Sequence, residues 1–312
     1  MTGLKVVFWK ELTDHFSSKR FIMIFLLICF IGAAATYMAG QNLHEDLLKH
    51  PTDYVFLRLF TIQGESLPSF ISFLAFFGPL IGIILGFDAV NSEFSQGTVS
   101  RVLAQPIYRD SWINGKFLAG FVTLAIMLTS IVLIILGLGL WMLGFPPELT
   151  ELARIGLFVA MSTIYVGFWL SLGMLFSVIF GRTVSSALAS LAVWIFFSFF
   201  LYMLAGVIAD QLVPLGPKAT AELWLKHQHI RDVVLKVSPT TIFGEAISAI
   251  LIPSYRGIGL IALLSGVEIP TNPLSIGQSL LIVWPQVVGL VAMTLICFAV
   301  SYITFMRQEI RA

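Results

Sequence analysis

LPSFISFLAFFGPLIGIILGF, residues Leu67–Phe87, runs for 21 residues without a charge, and NSEFSQGTVSRVLAQPI, residues Asn91–Ile107, follows it almost at once. The first stretch is long enough to cross a hydrocarbon core of roughly 30 Å as one helix. The second is polar, helically spaced and punctuated by glycine and proline. Inside a bilayer the backbone must satisfy its own hydrogen bonds, so an apolar run of this length folds as a helix. The whole chain has the same character: 58% of its 312 residues are hydrophobic, 11% are charged, and the mean hydropathy is +0.94. A soluble domain of this size cannot bury so much apolar surface, and the fold class is therefore an all-α integral membrane protein.

Six runs meet the length test, at about 21–39, 67–87, 117–143, 155–180, 184–208 and 280–305, and none contains Asp, Glu, Lys, Arg or His. A carrier driven by protons or ions usually places such groups at membrane depth, despite a cost of roughly 2.5–3.5 kcal/mol each. An ion-coupled carrier or channel is accordingly the third reading. The second, an intramembrane enzyme, needs a motif such as H-E-x-x-H or G-x-S-x-G, and the chain contains neither. The net charge of +1 gives no reason to expect nucleic acid as a partner. Cys29 and Cys297 fall within apolar runs and read as small buried hydrophobes.

With the N-terminus inside, the short cytoplasmic segments hold Lys5, Lys10, Lys19, Arg20, Arg101, Arg109, Lys116, Arg182, Arg307 and Arg311. The positive-inside rule then predicts that both termini are cytoplasmic. A cleaved signal peptide at 21–39 is disfavoured by the long leader with Glu11 and Asp14. Gly181–Thr183 predicts a tight turn between the fourth and fifth spans. Segment 209–279 is external, and Ser238 and Pro239 there precede Ile242, Phe243, Ala246, Ile247, Ile250 and Leu251 at helical spacing. That helix is too short to span and is expected to lie at the outer interface or dip into it as a re-entrant segment. The run 258–267 is likewise too short for a seventh crossing.

Two further segments belong to the cytoplasmic side. Residues 1–20 carry Leu4, Phe8, Leu12 and Phe16 four apart and read as an interfacial helix, although Lys5 and Glu11 intrude on its apolar arc. In the connecting segment 88–116, Val99, Val102 and Leu103 form one apolar stripe on a short helix, with Ser95, Gln96, Ser100 and Arg101 elsewhere, and Pro106 ends it. A short amphipathic helix projecting from a membrane protein suits docking into a groove on a soluble partner. Asp110 or Ser111 then caps the next helix, with Trp112 and Lys116 placed for an aromatic and a snorkelling cation at the membrane boundary.

These residues resemble a known family. The run EFSQGTVSRVLAQPIYRDSWINGK, Glu93–Lys116, is similar to the signature between the second and third spans of ABC-2 type transporter permeases, with Glu93, Gly97, Thr98, Leu103, Pro106, Arg109, Gly115 and Lys116 in the family's order. Lys10, Glu11 and Leu12 with Lys19, Arg20 and Phe21 resemble its N-terminal elbow, and Ser238–Pro239 its external re-entrant region. The sequence departs from the pattern at Val99, where leucine is commoner, in lacking a second acid beside Glu93, and in its long external segment.

The resemblance implies a single domain, 1–312, that is the permease half of an exporter in a prokaryotic cell membrane. It also implies a second permease copy or paralogue and a separate cytoplasmic ATPase that binds ATP and magnesium, this chain needing no cofactor and no metal. Glu93, Gly97, Thr98, Val99, Arg101, Val102, Leu103 and Pro106 would form the coupling helix. The sequence itself contains no G-x-x-x-x-G-K-[ST] phosphate loop. Gly78, Gly82 and Gly86 form a small-residue face that reads as helix packing or as a seam between two copies. His227 and His229 lie two apart, diverge on a helix and lack a full ligand set even with Glu222 nearby. Glu245 reads as a solvated polar position. No residue pattern identifies a substrate; membrane lipid is an expected surrounding partner.

Overall fold

The computed structural model describes residues 2–47, 54–62, 68–95, 97, 107–216, 220–252 and 274–308. Among them the secondary structure is entirely helical. Helix α1 (Thr2–Ser17) turns at Ser18 into α2 (Lys19–Leu47), and the short α3 (Val55–Thr61) follows. Then come α4 (Phe70–Gly86), α5 (Asn91–Ser95), α6 (Arg109–Leu143) and α7 (Leu149–Ile179). The fifth crossing is α8 (Thr183–Ile195), a π-helical turn (Phe196–Phe200) and α9 (Leu201–Leu212). Helices α10 (Ala221–Leu235), α11 (Pro239–Leu251) and α12 (Ile276–Arg307) complete the fold.

Among the described residues six helices are long and apolar enough to cross a membrane, in the order the apolar runs predict. The third and fourth begin earlier than the charge-free runs: α6 starts at Arg109 and includes Lys116, and α7 starts at Leu149 and includes Glu151 and Arg154. The Gly181–Thr183 turn separates α7 from α8. The 258–267 run lies outside the described residues.

Helix α7 is the centre of the bundle, in contact with α4, α6, α11 and α12. Lipid tails are as apolar as leucine, so close approach and hydrogen bonds decide which helices pair. The glycine face of α4 supplies the approach. A Cβ on Gly82 would overlap the carbonyl oxygen of Val166, and one on Gly86 would lie 2.5 Å from that of Leu170, while Gly78 faces Val166 and Tyr165. This face is filled by α7 of the same chain, which accounts for its small residues as helix packing. The Tyr165 hydroxyl adds a cross-link by donating to the carbonyl of Ala75 at 2.7 Å, and its ring stacks on Phe243 of α11 at 4.2 Å.

The apolar stripe of α11 is buried at every position from Ile242 to Leu251 that the helical spacing picked out. It packs on α7 and α12 instead of lying along lipid, and α10 and α11 meet at a bend of 112°. The end of the bundle that carries α3, α11 and the start of α12 is tied down by α7. Arg154, 1% exposed, donates to the carbonyls of Ile250 and Leu274 and to Ser279 Oγ, and Glu151 accepts from the backbone N–H of Phe56 and Glu148.

A methyl group at Gly82 meets α7 backbone and the Cβ of Trp169, none of which can swing aside, so Gly82→Ala should lower the thermal midpoint and the folded yield in detergent by an overpacking cost of about 1–3 kcal/mol. Gly137→Ala, where a Cβ meets nothing within 4 Å, should match the wild type in the same measurement.

Candidate functional site: an ion-pair node joining three segments

The face of the bundle that carries α1, α5 and the end of α12 also carries the start of α6. Here the Lys116 ammonium, with 3% of its side chain exposed, lies 2.9 Å from Glu11 Oε1 and 2.7 Å from Glu93 Oε1. Lys10 reaches the same two carboxylates at 2.9 and 3.4 Å and Asp14 at 3.3 Å. Two lysines and two glutamates from α1, α5 and α6 thus share one half-buried network. A buried ammonium without counter-ions would lose its charge or unfold the site, so each carboxylate is needed by the others' partners.

The backbone explains why these side chains meet. The first turns of α6 run beside α1, and Gly115 permits it, because a Cβ there would come within 2.8 Å of Val7 Cγ1. Trp112, 1% exposed, stacks between the Lys116 ammonium, 4.8 Å from its ring centre, and Phe305 of α12 at 5.0 Å. Glu93 is aimed by the turn after α4. Ser177 Oγ on α7 accepts from the backbone N–H groups of Val90 and Asn91 at 2.9 and 3.1 Å, and the Asn91 amide donates to the carbonyls of Phe87 and Phe180. Gly97 then leaves the helix with φ 65°, a left-handed conformation that glycine adopts without steric penalty. A second pair, Arg20 with Asp88, joins the start of α2 to the same turn.

The C-terminal end of α12 closes this face. Arg109 donates to the carbonyl of Gln308 at 3.1 Å, and the Gln308 amide to that of Val178 at 2.7 Å.

Of the residues singled out from sequence, Lys10, Glu11 and Glu93 converge in the node, Leu12 is buried beside it and Gly97 follows it. Thr98, Val99, Arg101, Val102, Leu103 and Pro106 lie outside the described residues. Two expectations are corrected. Glu11, an apparent flaw in an apolar arc, is buried because it faces Lys116, and Lys116 does not snorkel to water but turns inward onto two carboxylates, with Trp112 packed beside it. Helix α6 begins after Tyr108 with no side-chain cap, and Asp110 instead accepts from the N–H of Ser111.

The sequence reading passed over Glu151 and Arg154. Their signal was a pair of charges three apart at the edge of an apolar run, the first part of the Glu148–Glu151 capping box. His227 bonds Asp210 at 2.9 Å on the other side of the bundle, and Glu245 accepts from the Gln286 amide at 3.2 Å.

Burial alone would raise the Glu11 carboxyl, but Lys116, with hydrogen bonds from Lys10 and Lys116, outweighs burial and holds it below the usual carboxylate range. Burial would likewise lower the Lys10 ammonium, and the surrounding Glu11, Glu93 and Asp14 reverse this and raise it. Burial lowers the His15 imidazole, which lies near Glu11, Lys116, Asp88 and Asp14. A depressed histidine takes up its proton more readily unfolded, so stability declines as pH falls below about 6.5, and the depressed Glu11 adds a further loss below about pH 4.3. The thermal midpoint in detergent should therefore drop between about pH 7.5 and about pH 5.5, and His15→Gln should flatten that interval. Lys116→Met leaves Glu11 and Glu93 with only the more exposed Lys10 between them and should cost about 3 kcal/mol or more in the same measurement.

A family model for ABC-2 family transporter proteins matches residues 5–310. A probable ABC transporter permease protein NosY from Pseudomonas aeruginosa is 28% identical over 217 residues, covering 65% of this chain and 70% of that protein. The NosY counterpart from Stutzerimonas stutzeri is 26% identical over 233 residues, covering 72% of this chain and 67% of that protein. The family match runs through most of α1, the node and all six spans, and the chain belongs to the ABC-2 family of transporter proteins as a membrane-spanning permease.

Proposed function

We propose that this permease converts ATP hydrolysis by a separate cytoplasmic ATPase into export of its substrate, with the segment between α5 and α6 as the surface the ATPase moves. The observation that carries this reading is the attachment of Glu93 at the start of that segment. A push on an untethered connector would dissipate in the connector, whereas Glu93 is held by Lys116 of α6 and Lys10 of α1, and the preceding turn by Ser177 of α7. Displacement of the segment is therefore delivered to α1 and to the spanning helices α6 and α7 together.

In this reading the stripe Val99, Val102 and Leu103 enters a groove on the ATPase, Arg101 lies at its rim, and ATP and magnesium are bound by that partner. A second permease copy or paralogue completes the complex, and both termini lie in the cytoplasm of a prokaryotic cell. Reagents that cannot cross the membrane should reach a cysteine at Gln96 only from the cytoplasmic side and one at Thr220 only from outside. Reversed labelling would remove the basis for ATPase contact at the α5–α6 segment.

Truncating a buried interface anchor typically costs roughly 1–4 kcal/mol, and an exposed rim charge less. Leu103→Ala should thus reduce co-purification of the ATPase more than Arg101→Ala, and Gly97→Pro more than either, because proline cannot adopt the left-handed backbone at 97. Glu93→Gln should retain the ATPase but lose the permease's effect on its hydrolysis rate. Wild-type co-purification and hydrolysis in all four variants, or vanadate-sensitive hydrolysis by the permease alone, would refute the proposal.

A further inference from the structure

A cavity of about 460 Å³ opens between the start of α2, the turn after α4 and the start of α8. One side is polar: Arg20 and Asp88 are ion-paired there, with Ser92 and Thr183 beside them. The other is apolar, formed by Phe87, Val184, Ala187 and Leu188, of which Val184 and Leu188 face outward and are 68% and 62% exposed. The three helices all change character here. The apolar run of α2 starts at Phe21, that of α4 ends at Phe87, and that of α8 starts at Val184. The cavity therefore straddles the boundary between the lipid headgroups and the acyl chains, polar side toward the headgroups.

We propose that this cavity is a binding site for a phospholipid with a primary ammonium headgroup, of the phosphatidylethanolamine type. The phosphate accepts hydrogen bonds from Arg20, the ammonium donates to Asp88, and the first acyl carbons lie on Phe87, Val184, Ala187 and Leu188. Charge complementarity selects this chemistry. The site presents one cation and one anion, and a zwitterion can exchange their mutual pair for two charge-assisted bonds without leaving either charge unmatched. An anionic headgroup such as phosphatidylglycerol would leave Asp88 unpaired beside a negative charge. Phosphatidylcholine has the same net charge, but its quaternary ammonium carries no N–H to donate. Asp88 and Ser92 also line a smaller cavity of about 150 Å³ that opens onto Lys10, Glu11, Glu93 and Lys116, so a bound headgroup sits one residue from the ion-pair node.

The test is native mass spectrometry of the isolated permease in detergent, titrated separately with dioleoyl phosphatidylethanolamine, phosphatidylcholine and phosphatidylglycerol. No ATPase is present, so the outcome is independent of the proposed ATP coupling. One charge-assisted bond corresponds to about a tenfold preference, expected for phosphatidylethanolamine over each of the other two. Asp88→Ala, which removes the acceptor, should erase the preference over phosphatidylcholine. Ala187→Trp fills the apolar side without touching the ion pair and should lower phosphatidylethanolamine retention about tenfold, with the thermal midpoint checking that each variant is folded. Equal retention of the three lipids by the wild type, or unchanged retention in folded Ala187→Trp, would overturn the proposal. So would near-complete disulfide formation between two copies of Leu188→Cys in phosphatidylethanolamine bilayers, which would show a second chain in place of the lipid.

Discussion

An ammonium group buried at the end of a membrane helix has to be surrounded by negative charge, and this requirement at Lys116 organises one whole face of the molecule. Glu11 and Glu93 meet it from two different segments, and Lys10 balances the second negative charge. Satisfying the group therefore docks α1 against α6 and fixes where the chain leaves α5. Removing Lys116 or either glutamate unbalances the charges around the remaining buried groups, which water reaches poorly. The node is consequently a positional constraint on three segments more than a source of net stability.

The rest of the bundle follows a related logic. Apolar surface alone does not distinguish a helix neighbour from a lipid tail, so α7 holds its partners through shape and polar contacts. Glycine on α4 lets the backbones meet, Tyr165 and Ser177 bond to the chain on either side of that contact, and Arg154 gathers the carbonyls of Ile250 and Leu274. Charged groups thus sit at one end of α7 and the Ser177 hydroxyl near the other, and close packing fills the interval between them.

The fifth crossing is the counterexample. Helices α8 and α9 bury few residues, and their large apolar side chains point outward around a π-helical turn, Phe196–Phe200. Such turns widen the helix by one residue and often mark functional positions. Trp194 and Phe199 of this crossing meet Phe76 of α4, forming an aromatic contact at membrane depth beside the less enclosed side of the bundle.

The number and order of the spans were legible in the sequence, because a backbone in hydrocarbon must close its own hydrogen bonds and only long apolar runs can do so. The α11 helix was legible too, from the spacing of Ile242 to Leu251, as was the order of Glu93, Gly97, Gly115 and Lys116. Their partnerships were not. An apolar stripe reads the same whether it meets lipid or protein, so only the tertiary structure shows α11 buried on α7 and α12. Glu11 looked misplaced and Lys116 looked solvated for the same reason: a charge in sequence carries no record of the distant charge that neutralises it. What the local pattern determined was which segments enter the membrane, since that depends on consecutive residues; which charges meet beneath them was decided by the packing of α1, α5 and α6, since ion pairing depends on proximity in space.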